Sequence, residues 1–375
     1  MIQPKRALSE SERRDWLRLI RTEHVGPIAF RILLHRCGDA GAALDALPEM
    51  AGFGGKRGAK PFGRAEAERE MEAVERLGGR LIALSEPDYP PMLAAIEDAP
   101  PVITVLGDPA LLTRAQVGIV GARTASTNGR RFAEALARDL GQEGMVVTSG
   151  LARGIDAAAH AGALPTGTVA VVGGGADVVY PAENRALHER IAAEGAIIAE
   201  QPLGTQPRAR HFPRRNRLIS GLSRGIVVVE AALRSGSLIT ARMAAEQGRE
   251  VFAVPGFPGD PRAEGGNRLI REGATLVRSA ADVLEDLSGP GIRASFAESG
   301  GGYGAEASDP ADPGALEEAR SAVIGRLSPS PTPVDELVRD CQLSASAVLT
   351  ALLELELAGR IERQPGNRVA LVGTT

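Results

Sequence analysis

Short β-branched runs in this chain end repeatedly in glycine, arginine and serine, the residue types that meet phosphate. After VGIVGA (117–122) come Gly121, Arg123 and Ser126. The glycine permits a tight turn and close backbone approach. The arginine offers a two-pronged donor to an anion. The serine can cap a helix whose first amides attract negative charge. MVVTSG (145–150) leads to Gly150 and Arg153, then to Asp156 and His160, which suit capping or packing better than a catalytic pair. TVAVVGGG (168–175) ends in Gly174 and Gly175, where a ligand could lie on bare backbone, followed by Tyr180 with a stacking face and by Asn184. After AIIAEQ (196–201) comes a run holding Phe212, Arg214, Arg215, Asn216 and Arg217. GIVVVEA (225–231) carries Glu230 at its end, a general base, a cap or an ion-pair partner to arginine, and leads to Ser235, Gly236 and Ser237, a second serine-rich helix start.

A ligand with several phosphates fits this set. Gln201–Val229 contains no Asp or Glu, yet holds Arg208, Arg210, Arg214, Arg215, Arg217 and Arg224 together with His211. An aromatic among arginines suits a polymer, because the ring can stack on a base while guanidinium groups track the backbone. The first loop is not GxGxxG, and no acid follows the second strand to hold a ribose, so a dinucleotide is disfavoured.

Positioning such loops together requires a particular architecture. The runs are continuously apolar rather than alternating, as in strands buried on both faces, and segments of helical length separate them. That alternation predicts a doubly wound, mostly parallel α/β sheet over about 117–287, whose ligands bind beyond the carboxyl ends of the strands. Residues 81–116 read as a connector with two candidate edge strands, Leu81–Leu84 and Val102–Leu106. Residues 1–80 read as a helical module, with turns HVGP (24–27) and GFGGKRG (52–58) where amides could meet a phosphate. Residues 288–314, rich in Gly, Ser, Pro and Asp, read as a flexible linker. Residues 315–375 read as three helices and a hairpin, the outline of a winged helix. Its third helix carries only Arg360 near its end, which argues against base reading in a major groove.

Bulk properties narrow the setting. The chain has 375 residues, 43% of them hydrophobic, and a net charge of −4, so charge distribution rather than total charge must carry any nucleic-acid binding. Cys37 and Cys341 are its two cysteines, far apart in sequence, which argues for a reducing compartment and against a zinc ribbon. The N-terminus lacks the apolar stretch of a signal peptide and no apolar run reaches spanning length, so a cytoplasmic location away from membranes is expected, with no cofactor.

The runs GIVGARTASTNG, SGLARGIDAAAH, AVVGGGADVVYPAEN, FPRRNRLISGLS, VVVEAALRSGSLITARMAAEQGREVFAVPG and GGNRLIREGA, in this order over about 113–285, strongly resemble the DNA-processing protein A family, also called DprA or Smf. The resemblance implies a Rossmann-like core that binds single-stranded DNA, protects incoming strands in natural transformation and helps load the RecA recombinase. It also implies a homodimer without established catalysis. It places DNA contacts at Gly121, Arg123, Phe212, Arg214, Arg215 and Arg217. The terminal regions are similar to the N-terminal helical module, of sterile-alpha-motif or helix-hairpin-helix type, and the C-terminal winged helix of longer members. A rival is a nucleotide phosphoribohydrolase acting on nucleoside monophosphates. That group carries PGGxGTxxE where this chain has SGSLITARMAAE, so Gly236 and Thr240 echo it, and Glu230 or Glu246 would have to do the acid–base work.

Overall fold

The computed structural model describes residues 6–52, 60–288, 313–328, 330–341, 343–364 and 367–372. Most of the linker expected at 288–314 and most of the 52–58 turn lie outside the described residues; the last two linker positions, Pro313 and Gly314, already belong to a helix. The chain divides into two units: Glu70–Ala99 with Ile103–Ser299, and Met1–Arg69 with Pro100–Val102 and Gly300–Thr375.

The larger unit is a three-layer α/β domain. Its strands are β1 (Arg80–Ala83), β2 (Val102–Gly107), β3 (Gln116–Gly121), β4 (Val146–Ser149), β5 (Thr168–Val172), β6 (Ala196–Ala199), β7 (Gly225–Val229), β8 (Glu250–Ala253) and β9 (Thr275–Leu276). They form one sheet in the order β1-β2-β6-β5-β4-β3-β7-β8-β9. From β6 through to β9 every neighbouring pair is parallel, while β2 runs antiparallel to β6. Every residue of β4, β5, β6 and β7 is buried, as their unbroken apolar sequences require when helices cover both faces.

The helices are α6 (Thr127–Gln142), α7 (Ile155–Ala163), α8 (Arg185–Glu194), α9 (His211–Leu222), α10 (Gly236–Glu246), α11 (Glu264–Arg271) and α12 (Ala280–Leu287). Separate clusters fill the two faces of the sheet. One includes Leu218, Ile219 and Leu222 of α9 with Val120 and Val228; the other includes Leu136 and Leu140 of α6 with Ile119 and Val227. Neighbouring inward residues of β3 and β7 therefore face opposite layers. From β3 the chain winds one way to β4, β5 and β6, and from β7 the other way to β8 and β9. The crevice beside β3, where strand order reverses, is where such sheets bind ligands.

The second unit joins both termini. Its helices are α1 (Glu10–Arg21), α2 (Pro27–Cys37) and α3 (Ala40–Gly52), followed by the start of α4 (Arg64–Arg76). The short α5 (Pro91–Ala94) belongs to the larger unit. Helix α1 opens with a full capping box, Ser9 with Glu12. The C-terminal part has α13 (Pro313–Arg326), α14 (Val334–Cys341) and α15 (Ala345–Leu357), with strands β10 (Thr332–Pro333), β11 (Ile361–Gln364) and β12 (Arg368–Leu371) in the order β10-β12-β11. Two cores claim helix α15. Val348, Leu352 and Leu355 face the winged-helix core, while Leu353 and Leu357 are buried with Leu19, Phe30, Leu33 and Leu47 of the N-terminal helices. The HVGP turn also faces this helix: a Cβ on Gly26 would sit 3.2 Å from Glu356, and one on Gly359 would sit 2.8 Å from the His24 ring. That turn therefore packs against α15 rather than presenting amides to a phosphate.

Candidate nucleic-acid interface

Phe212, in the first turn of α9, is the hub of the crevice. The Arg123 guanidinium lies 5.3 Å from its ring centroid and that of Arg215 6.0 Å, while the Tyr180 ring sits 5.6 Å away at an interplanar angle of 40°. Each cation–ring contact is worth about 0.5–2 kcal/mol, more as water is excluded. The ring also rests on Gly173, where a Cβ would approach to 3.4 Å. Phe212 thus acts first as a platform that orients two arginines. Tyr180, 49% exposed, is the aromatic with a face open to solvent.

The two arginines reach the platform by different routes. Arg123 is exposed on the loop after β3. That loop is held at one end by Ile155, whose N–H donates to the Ala122 carbonyl at 3.2 Å. At its other end Glu230 accepts from the Ser126 N–H at 2.8 Å and from the Ser126 hydroxyl. Arg215 is only 6% exposed and projects under the β4 loop. A Cβ on Gly150 would fall within the Arg215 Nη1 atom, so glycine is the residue that leaves room for the guanidinium. Burial lowers the Arg215 pKa to about 10, an effect that Asp156 opposes and Arg123 reinforces, and the side chain stays charged at neutral pH. Asp156 accepts from the Gly150 N–H at 3.1 Å and the Ala152 N–H at 3.3 Å. Burial raises its pKa, against the pull of Arg215 and those amides.

His160 lies beneath this cluster, fully buried. Thr168 Oγ1 donates to the Val147 carbonyl at 2.8 Å, so the 2.7 Å contact from His160 Nδ1 must be a donation by the ring. Burial, then Arg215, hold its pKa down to about 3, so the imidazole is neutral. Further positive charge borders the platform: His211 is lowered by burial and then by Arg210, Arg208 and Arg214.

Comparison with known proteins bears directly on this arrangement. The family model described as DNA recombination-mediator protein A matches residues 80–288, one for a DprA-like N-terminal HHH domain matches 10–73, and one for a DprA winged helix domain matches 306–367. Protein Smf of Escherichia coli is 40% identical over 317 residues, 83% of this chain and 82% of that protein. DNA processing protein DprA of Streptococcus pneumoniae is 46% identical over 201 residues, 53% of this chain and 71% of that protein. This chain belongs to the DNA recombination-mediator protein A family. Its fold is similar to the solved structure of DprA from Streptococcus pneumoniae, with a TM-score of 0.58 and 36% identity over 69% of this chain and 86% of that one. It is also similar to DNA processing protein A from Helicobacter pylori, in a structure described by its unique single-stranded DNA binding mode, with a TM-score of 0.51 and 29% identity over 56% of this chain and 95% of that one.

Within the DprA core the structure brings some of the expected residues together and diverts others. Arg123, Phe212, Arg215 and Tyr180 converge. Gly121, Gly174 and Gly175 do not offer bare backbone to a ligand: a Cβ on them would meet Val229 O and Ile155, Thr205 O, and Pro202 O with Asp177, respectively. Asn184 donates its amide to the carbonyls of Leu151 and Ala152, at 2.9 and 3.3 Å, and so fixes the β4 loop instead of facing outward. Arg153 pairs with Glu183 at 2.7 Å on the surface, an ion pair worth at most about 1 kcal/mol. Arg217 is turned inward and held by Glu200 and Asp98, so it is withdrawn from any phosphate. Ser126 caps α6, but the carboxylate of Glu230 already occupies that helix start. The α10 start differs: Ser235 accepts from the Ser237 N–H at 3.4 Å, no atom of the described residues lies within 4 Å of a Cβ placed on Gly236, and Asn216 donates to the Gly236 carbonyl at 3.4 Å, tying α9 to α10. Two placements escaped sequence reasoning: Asp156 as counter-ion to Arg215, and the Ser126 helix start as the end that Glu230 caps. An acid at a strand end facing a serine helix cap was the available signal for the second.

Proposed function

We propose that this protein binds single-stranded DNA across the carboxyl ends of β3, β4, β5 and β7, protects strands taken up in natural transformation and helps pass them to the RecA recombinase. The observation that carries this proposal is the Arg123–Phe212–Arg215 cluster with Tyr180 exposed beside it. Guanidinium groups there can neutralise successive phosphates, and the free tyrosine face can stack a base. Family membership and the single-stranded DNA binding described for the Helicobacter pylori relative support it. Contacts through Arg123, Arg214, Arg215, Tyr180 and the Ser235–Ser237 helix start make binding dependent on backbone and largely indifferent to sequence.

The protein works as a cytoplasmic homodimer through its α/β domain, binding rather than transforming its ligand. Among the described residues no helix is long and apolar enough to cross a membrane. A phosphoribohydrolase would need Glu230 or Glu246 as an acid–base group, yet the Glu230 carboxylate is engaged at the α6 start and Glu246 lies exposed at the far end of α10. Anisotropy titrations of single- and double-stranded oligonucleotides over a salt series test the proposal. Tighter single-strand binding that weakens steeply with salt is expected. Equal or preferential duplex binding overturns it, and release of free base from nucleoside monophosphates in a Glu230-dependent manner overturns its non-catalytic character.

A further inference from the structure

Glu230 ends β7 with a left-handed backbone, φ 51°, a conformation costly for a residue with a Cβ. Its side chain crosses from the end of β7 to the start of α6, the helix that follows the neighbouring strand β3. One carboxylate oxygen accepts from the Ser126 N–H, and the other accepts from the Ser126 hydroxyl, whose own oxygen caps the Gly129 N–H at 2.9 Å. A Cβ on Gly129 would lie 2.5 Å from the Glu230 carboxyl carbon, so the first turn of α6 is bare where the carboxylate rests on it. Nothing in the crevice proposed to hold DNA requires an acid there. At the same place an unplugged helix start would attract a phosphate.

We infer that Glu230 is a positioning and specificity-determining residue: it acts as a resident anion at the switch point, which fixes the Arg123 loop and refuses the terminal phosphate of a free nucleotide. The geometry supplies both halves. The Arg123 loop has two anchors, Ala122 against Ile155 and Ser126 against Glu230, and Arg123 lies between them. The Ser126 N–H that a phosphate would need is already taken, and a second anion beside the carboxylate would meet like-charge repulsion in a half-buried site. A mononucleotide depends on one such seat, whereas a strand spreads its charge over several arginines and does not need it. The inference deepens the single-strand proposal and rests on it for the loop, while the phosphate half needs no strand.

Glu230→Gly is the informative variant, because glycine adopts the left-handed backbone freely and removes the carboxylate. Glu230→Gln, which keeps the size and removes the charge, guards against loss of fold, checked by thermal unfolding. Calorimetry with inorganic phosphate and with a nucleoside monophosphate is expected to show no binding to the native protein and measurable binding to Glu230→Gly. The same variant should bind single-stranded oligonucleotide about tenfold more weakly, the scale of losing a hydrogen bond to a charged group. Unchanged phosphate binding in both variants overturns the exclusion. Unchanged strand affinity in Glu230→Gly overturns the positioning role. If the native protein binds no single strands, the functional proposal falls and the phosphate titration still decides the exclusion.

Discussion

Arg215 and Arg217 stand two residues apart on α9, and each is no more than 6% exposed, yet they sit in opposite electrostatic settings. Arg217 faces Asp98 and Glu200, and donates to the Asp98 carbonyl at 2.7 Å as well, so two acids answer one guanidinium. Arg215 faces one carboxylate, Asp156, and shares the Phe212 platform with a second arginine. Its Nε has no hydrogen-bond partner among the described residues. The first pocket is closed on itself. The second carries an excess of positive charge, which an incoming polyanion would satisfy. Burial alone therefore does not set the electrostatic environment of an arginine; the local count of charges does.

Four experiments sharpen or break this contrast. Arg217→Ala should have the largest effect on stability, about 3 kcal/mol, because it leaves two partly buried acids uncompensated. Urea unfolding measures it, and a loss below about 1 kcal/mol would show that the closed pocket does not depend on the arginine. The folded fraction should keep its affinity for single strands.

Arg123→Ala should do the reverse. Affinity should fall about 10- to 100-fold and the salt slope by roughly one, with a stability change within about 0.5 kcal/mol. A variant that binds normally would move the interface away from the β3 loop.

Gly150→Ala places a methyl where the Arg215 guanidinium lies. It should cost about 1–3 kcal/mol of stability by overpacking and weaken strand binding, since Arg215 must move. Stability loss with intact affinity would make Arg215 structural, like Arg217.

The fourth experiment concerns pH dependence. His160 is held at about 3 in the folded protein against an ordinary value of 6.5, by burial and then by Arg215. Unfolding restores the ordinary value, so the unfolded chain binds more protons between these limits. The stability tied to neutral His160 is full above 6.5 and is lost progressively as pH falls from 6.5 toward 3. His160→Gln should flatten that part of the urea midpoint–pH curve relative to the native protein. An identical slope in both would show that protonation of His160 is not coupled to unfolding.

The doubly wound sheet was readable from the unbroken runs at β3, β5 and β7, and the gathering of loops followed from the carboxyl-end rule for such sheets. The convergence of Arg123 and Phe212 was legible in outline, because a loop arginine after one strand and an aromatic in the acid-free stretch after another fall at the same edge of such a sheet. Arg217 was not, since its two partners lie at positions 98 and 200, on segments that only the fold brings alongside α9. The glycines at β3 and β5 were legible as necessary but not in purpose. A missing side chain makes room equally for a ligand or for the protein's own carbonyls, and at Gly121 and Gly174 the neighbours are Val229 O and Thr205 O.

The starts of α6 and α10 show where the boundary falls. Local sequence determines both as serine-capped helix ends, because an N-cap hydrogen bond spans only two or three residues. Whether either end is free depends on a residue about a hundred positions away. Glu230 reaches Ser126 only because β7 lies beside β3 in the sheet, whereas among the described residues nothing lies within 4 Å of a Cβ placed on Gly236. Local hydrogen bonding and apolar patterning thus set the elements from sequence alone. The occupancy of each anion seat was decided by long-range strand order, since Coulomb attraction acts through space and not along the chain.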